Sequence, residues 1–163
     1  MILLLVLAGC QSGSKPARES ENTSLSVPAA TDEFFQKIGE EIGLDFVQSI
    51  GDHELTNIVE SSGGGTSFLD FDQDGFIDIY ACSGTWVEGL SEGPKPSTLP
   101  GNHLYRNRGD GTFEDVTRKS GTGGPWYCMG VSVGDFNNDG YPDLFLSNYG
   151  ANVLLKNNGN GTF

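Results

Sequence analysis

The stretch that decides the fold is residues 68–80, FLDFDQDGFIDIY, which recurs further along the chain as residues 133–145, VGDFNNDGYPDLF. A second motif, LYRNRGDGTF at residues 104–113, recurs as LLKNNGNGTF at residues 154–163. Two different motifs repeated in the same order predict tandem structural units that pack on one another. The first unit is longer by an insertion rich in Gly, Ser and Pro, residues 87–100, which we predict to be a long surface loop.

Each complete unit is predicted to contain four short strands. In the first unit the expected strands are residues 66–71, 77–82, 103–107 and 112–116. The strands are rich in aromatic and β-branched residues, and Asp-Gly and Asn-Gly pairs suit the tight turns between them. Four-stranded units in tandem predict an all-β fold, a β-propeller with one blade at about residues 65–117 and a partial blade at about residues 129–163. About two blades leave the ring incomplete.

A fainter third repeat lies before the first blade. Phe35, Ile38 and Gly43 have the same mutual spacing as Phe113, Val116 and Gly121. This spacing favours a final strand and turn of a preceding unit over residues 34–43. A short amphipathic helix is the alternative, because the apolar residues in this segment also fit a helical period.

The repeated Asp-rich loop predicts a metal site. Alternate positions in a tight loop converge on one point, and a glycine permits the sharp reversal that aims them there. The expected ligands in the first loop are Asp70, Asp72, Asp74, the carbonyl of Phe76, and Asp78; in the second loop they are Asp135, Asn137, Asp139, the carbonyl of Tyr141, and Asp143. Ca²⁺ tolerates such an irregular shell of oxygens better than Mg²⁺ does, so we expect about two calcium ions.

An EF-hand and a solvated polar turn are the two alternatives to a calcium loop of a β-protein. An EF-hand requires a Glu at loop position 12 and a helix on each side, but this position holds Ala81 or Leu146 and strand-like sequence follows. A solvated polar turn would account for one such loop. Two copies in the same sequence context, with carboxylates close enough to repel one another, favour the metal site.

The N-terminus predicts export and lipid anchoring. Residues 1–9 are an apolar run too short to span a bilayer and are expected to be a signal peptide, although no Lys or Arg precedes the run. The sequence Leu-Ala-Gly-Cys that ends at Cys10 resembles the lipobox of bacterial lipoproteins, which implies lipidation of Cys10. Residues 10–30 then form a flexible tether. Because Gln11 is not Asp, the expected location is the bacterial outer membrane or the cell surface.

The other two cysteines, Cys82 and Cys128, form an even pair in a compartment that permits disulfides. A bond between them and two buried free thiols are equally compatible with the sequence. Neither cysteine lies in a CxxC motif or beside a His, which argues against a zinc or catalytic role.

The DxDxDGxxD loops, each followed by a motif of the type LYRNxGDGTFxDVT, resemble the FG-GAP/VCBS repeats of integrin-type β-propellers. The glycine-rich approach to the first loop resembles more narrowly the cartilage acidic protein and UnbV-like group. The resemblance covers about residues 34–163 and implies calcium in the loops and a ring of about seven blades. It also implies an N-terminal fragment, because a UnbV-type domain is not found in this sequence. An isolated pair of blades is expected to associate through its open edges or to remain partly unfolded.

The expected function is non-catalytic. A net charge of −13 argues against a nucleic-acid partner, and the predicted contact with a membrane is through the lipid only. A surface lipoprotein that presents loops to a protein or a glycan is the favoured interpretation. The alternative is an accessory or N-terminal part of an extracellular polymer-degrading enzyme whose catalytic region is absent here.

Aromatic and histidine residues are the remaining candidates for a functional role. Trp86, Trp126 and Tyr127 lie near loops and form either a contact surface or packing between blades. The two histidines, His53 and His103, are not part of a recognisable catalytic motif.

Overall fold

The computed structural model describes residues 38–52, 54–99 and 101–163. These residues form seven strands and one single-turn helix. In chain order they are β1 (Thr66–Leu69), β2 (Asp78–Ala81), β3 (His103–Asn107), β4 (Phe113–Asp115), α1 (Thr117–Ser120), β5 (Tyr127–Gly134), β6 (Asp143–Tyr149) and β7 (Val153–Leu155). The predicted leader and tether, residues 1–30, lie outside the described residues. Within the described part of the chain, no helix has the length and apolar character needed to cross a membrane.

The first sheet contains β1 to β4 in sequential antiparallel order, which confirms the predicted four-stranded unit. The strand β3 has the predicted bounds, whereas β1, β2 and β4 are shorter than predicted. For example, β1 ends at Leu69 because Asp70 already folds back into the Asp loop. The insertion contains no strand or helix in its described residues, 87–99. The second sheet contains β5, β6 and β7 in the same sequential order.

The two sheets lie side by side along their first strands, as adjacent propeller blades do. Ser67 of β1 donates a hydrogen bond to the carbonyl of Val131 of β5, at 3.2 Å. A Cβ placed on Gly65 would lie 3.1 Å from the Cα of Gly130. The two backbone segments therefore approach closely at a place where both residues are glycine. Apolar residues of both sheets form one core: Leu69, Phe71, Tyr80, Cys82, Leu104, Val116, Cys128, Leu144 and Leu146.

Because the two sheets pack together, residues at equivalent positions of the two loops differ in their exposure to solvent. Phe71 follows the first Asp of its loop and is 3% exposed, whereas Phe136, at the same place in the second loop, is 57% exposed. The second sheet covers Phe71, with the ring of Phe163 at a centroid distance of 6.2 Å. The second sheet thus protects the first one, and its own outer face carries exposed Phe145 and Leu154, which are paired across β6 and β7.

The faint third repeat is a turn that contacts the first blade. The N–H of Ile42 donates to the carbonyl of Ile38, as the N–H of Ser120 donates to the carbonyl of Val116. The carbonyl of Ile42 accepts a bond from the N–H of Phe113 at 2.7 Å. In the same way, the N–H of Phe163 donates to the carbonyl of Ser120 at 2.8 Å. The shared spacing therefore reflects the same turn and the same backbone contact. The turn expected at the end of this segment is observed over residues 39–43, and residues 34–37, where the strand is expected, lie outside the described part.

Candidate metal centre

The first Asp loop is shaped by hydrogen bonds from its own backbone. The carboxylate of Asp70 accepts bonds from the N–H groups of Asp74, at 3.1 Å, and Gly75, at 3.0 Å. Gln73 and Gly75 have positive φ angles of 59° and 87°, which Gly75 adopts without strain. These contacts fold the loop inward and bring its polar side chains to one side.

The second loop repeats this scaffold. Asp135 accepts bonds from the N–H groups of Asp139, at 3.1 Å, and Gly140, at 2.8 Å. Asn138 and Gly140 have φ angles of 58° and 90°, the counterparts of those in the first loop. The two loops therefore share one backbone conformation as well as one sequence pattern.

The last Asp of each loop ties the loop to a strand further along the chain. Asp78 is fully buried and accepts hydrogen bonds from the N–H groups of Phe71, at 3.1 Å, and Asn107, at 2.8 Å. Burial raises the pKa of Asp78 to about 6; its two backbone bonds lower this pKa, and the carboxylates of Asp72 and Asp74 raise it. A fixed carboxylate is thereby held beneath the loop.

Asp143 makes the equivalent contacts in the second sheet. It accepts bonds from the N–H groups of Phe136, at 3.0 Å, and Asn157, at 2.7 Å. The side chain of Asn157 also donates to the carbonyl of Phe71 in the first sheet, at 2.8 Å, and Gln73 donates to the carbonyl of Gly140 at 2.7 Å. The two loops thus lie together at one end of the blades.

Three carboxylates of the first loop converge. Asp70, Asp72 and Asp78 each offer an oxygen, and these oxygens lie within 4.8 Å of one another. Oδ1 of Asp72 is buried and has no hydrogen-bond partner. A carboxylate oxygen that accepts one hydrogen bond keeps a second lone pair, so the scaffold bonds do not exclude a metal. An all-oxygen cluster with one buried, unpartnered oxygen fits Ca²⁺.

A basic side chain from the same blade reaches each loop, a contact that the spacing of the Asp residues does not predict. Arg106 Nε lies 2.5 Å from Oδ2 of Asp72, and Arg106 Nη2 lies 2.6 Å from Oδ2 of Asp74. Hydrogen bonding to Asp72 is the main reason why the pKa of Arg106 is raised. Lys156 Nζ lies 3.5 Å from Asp139 in the second loop. The sequence contains a pattern that could have predicted these contacts, because Arg106 and Lys156 both directly precede the Asn of the second repeated motif.

The aromatic residue at position 7 covers a glycine of the neighbouring hairpin. A Cβ on Gly109 would lie 2.5 Å from the ring of Phe76, and one on Gly159 would lie 2.8 Å from the ring of Tyr141. These rings therefore have a packing role. Coordination of a metal by the carbonyls of Phe76 and Tyr141 stays a prediction.

The structure places Cys82 and Cys128 in a disulfide that joins the two sheets. Their Cα atoms are 5.3 Å apart, and both side chains belong to the shared core. The bond would close a loop between the end of β2 and the start of β5. Oxidation of this pair in the purified protein stays a prediction.

The other sequence candidates have different environments. His103 is half-buried, bonded to Asp115 at 2.8 Å and stacked on Tyr105. Tyr127 is buried, which favours packing over ligand contact at that position. Trp86 and Trp126 keep part of their surface accessible.

Comparison with known proteins defines the class. The model of the FG-GAP-like repeat matches residues 70–146 and 135–163, together more than half of the chain. The protein therefore belongs to the FG-GAP-like repeat family, and its two sheets are blades of this repeat.

Two relatives share shorter stretches. Cartilage acidic protein 1 of Xenopus tropicalis is 36% identical over 63 residues, which is 37% of this chain and 10% of the relative. Cartilage acidic protein 1 of Homo sapiens is 43% identical over 49 residues, which is 29% of this chain and 7% of the relative. The matches thus span a tenth or less of each relative's length. No solved structure gives a significant match.

Proposed function

We propose that the protein is a non-catalytic, calcium-binding surface lipoprotein whose FG-GAP repeats bind a protein or a glycan outside the cell. The observation that carries the calcium proposal is the unpartnered, buried Oδ1 of Asp72 within a cluster of three carboxylates. Bound calcium would neutralise the loops and fix the end of the blades at which both loops lie.

Calorimetric titration of the full chain with Ca²⁺ is expected to show two sites of unequal affinity, with dissociation constants on the order of 10⁻⁴ to 10⁻³ M. The first loop is expected to bind more tightly, because Asp72 carries a charge that Asn137 lacks. Asp72→Asn should weaken the first site to the level of the second, and Asn137→Asp should strengthen the second. The exposed acid Glu41 offers a control: Glu41→Gln should change neither site.

A further variant tests the competition inside the loop. Since Arg106 occupies two carboxylates of the first loop, Arg106→Gln should strengthen calcium binding there by removing the competing cation. Circular dichroism shows whether each variant is folded. Absence of calcium heat in a folded wild-type sample would contradict the proposal.

Lipid anchoring rests on the lipobox-like sequence at Cys10. The full chain expressed in a bacterium with two membranes is expected to incorporate labelled palmitate and to sediment with the outer membrane. Cys10→Ser should abolish both properties, whereas Gln11→Asp should keep the label and move the protein to the inner membrane. An unlabelled wild-type chain in the soluble fraction would refute the anchor.

A binding role is favoured over catalysis. The contacts of His103 with Asp115 and Tyr105 support a structural role for this histidine. The carboxylates of the Asp loops are engaged by backbone N–H groups and by Arg106, which favours loop shaping and cation binding over acid–base chemistry.

A further inference from the structure

A groove lies at the end of the blades opposite the Asp loops. The Asp loops connect β1 with β2 and β5 with β6, whereas the groove is built from the β2–β3 insertion and the β6–β7 turn, which emerge at the other end of antiparallel strands. Its volume is about 400 Å³. Five of its residues carry the argument: Trp86, Lys95, Trp126, Asn148 and Tyr149.

The walls of the groove are aromatic. Trp86 and Trp126 are half-buried, and Tyr149 is 45% exposed. Lys95 lies over the ring of Trp86, with its Nζ 5.7 Å from the ring centroid. Aromatic walls with a few polar groups are typical of small-ligand sites, and flat rings accept the C–H faces of sugars as well as cations.

Two groove residues carry buried polar atoms without a partner. They are Nε1 of Trp86, which can only donate, and Oδ1 of Asn148, which can only accept. The amide nitrogen of Asn148 is already used, since it donates to the carbonyl of Ala151 at 2.9 Å. Buried groups of this kind need an explanation. A hydroxyl group satisfies either one, because it both donates and accepts.

The negative charge of the protein around the groove argues against an anionic ligand. The chain has a net charge of −13, and a second cavity, which Trp86 also lines, is bordered by Asp52, Glu54 and Glu92. Sulfated sugars and uronic acids would be repelled by this surface. A ligand rich in hydroxyls and without negative charge fits both the groove and its surroundings.

We propose that this groove binds a neutral glycan, which stacks on Trp86 and Trp126 and forms hydrogen bonds with Asn148. The proposal rests on the proposed interaction function and names its ligand class and its site. It does not depend on calcium, because the groove and the Asp loops lie at opposite ends of the blades.

Intrinsic fluorescence offers a direct test, because both tryptophans of the chain line the groove. The full chain is titrated with an array of neutral oligosaccharides of glucose, galactose, mannose and N-acetylglucosamine, and with a heparin hexasaccharide. A saturable change in emission is expected with a neutral member and none with heparin. Asn148→Ala should weaken binding about tenfold through the lost hydrogen bond, and Trp126→Ala should remove it. Phe145→Ala, an exposed aromatic outside the groove, should leave binding unchanged.

The same samples are titrated with Ca²⁺, which separates the two proposals. If calcium binds but no neutral oligosaccharide does, or if Asn148→Ala and Trp126→Ala bind as wild type does, the glycan inference is overturned. Binding of heparin or of a peptide library at the groove, in place of neutral sugars, also overturns it. If a neutral sugar binds but calcium does not, the groove stands and the calcium proposal falls.

Discussion

Replacing Asp78 by alanine is expected to lower the free energy of unfolding by about 2–6 kcal/mol. The carboxylate accepts bonds from the N–H groups of Phe71 and Asn107, and each buried N–H left without a partner costs about 1–3 kcal/mol. Urea unfolding at pH 7.5 in the presence of a chelator measures this loss without any contribution from calcium. At this pH the wild-type carboxyl is ionised, since its pKa is raised only to about 6.

Two variants make the Asp78 result specific. Asp78→Asn keeps one oxygen for a backbone N–H and is expected to be destabilised less than Asp78→Ala. Glu41→Gln removes an exposed carboxylate and should stay within about 0.5 kcal/mol of wild type. A loss seen with calcium but absent in the chelator would mean that Asp78 acts only as a metal ligand.

The second large effect is expected from the disulfide. Cys82 and Cys128 are separated by 46 positions in the sequence, and closing a loop of this length stabilises a fold by about 4 kcal/mol in the chain-entropy account. The bond also connects two sheets, so its loss should loosen one blade from the other. Reduction of the wild-type chain is expected to lower its unfolding free energy by a similar amount.

The matched variant for the disulfide is Cys82→Ser/Cys128→Ser. Its stability should already be low and should not respond to a reducing agent. Mass spectrometry after alkylation, with and without prior reduction, counts the free thiols. Two free thiols at positions 82 and 128 in the unreduced, folded protein would show that the pairing is wrong.

The local sequence was sufficient to predict the repeat and the strands of its first unit. The doubled DxDxDGxxD pattern and the Asp-Gly turns predicted the four strands of the first sheet, because turn residues and strand periodicity act over a few positions. The convergence of Asp70 and Asp72 also follows from local spacing. The turn at residues 38–43 was expected from the spacing that it shares with residues 116–121, with a short helix as the alternative. Its contact with Phe113 spans a distance in sequence that no local pattern reveals.

The sequence by itself determined the class of the protein, since two loops with the same order of Asp and Gly residues require one backbone shape. Only the tertiary structure decided which equivalent residues differ. Phe71 is buried and Phe136 is exposed because the neighbouring sheet covers one and not the other. It also decided that Arg106 contacts the first loop and that Trp86, Trp126 and Asn148 share a groove. These contacts join segments distant in sequence, so their formation depends on how the strands pair and how the blades pack.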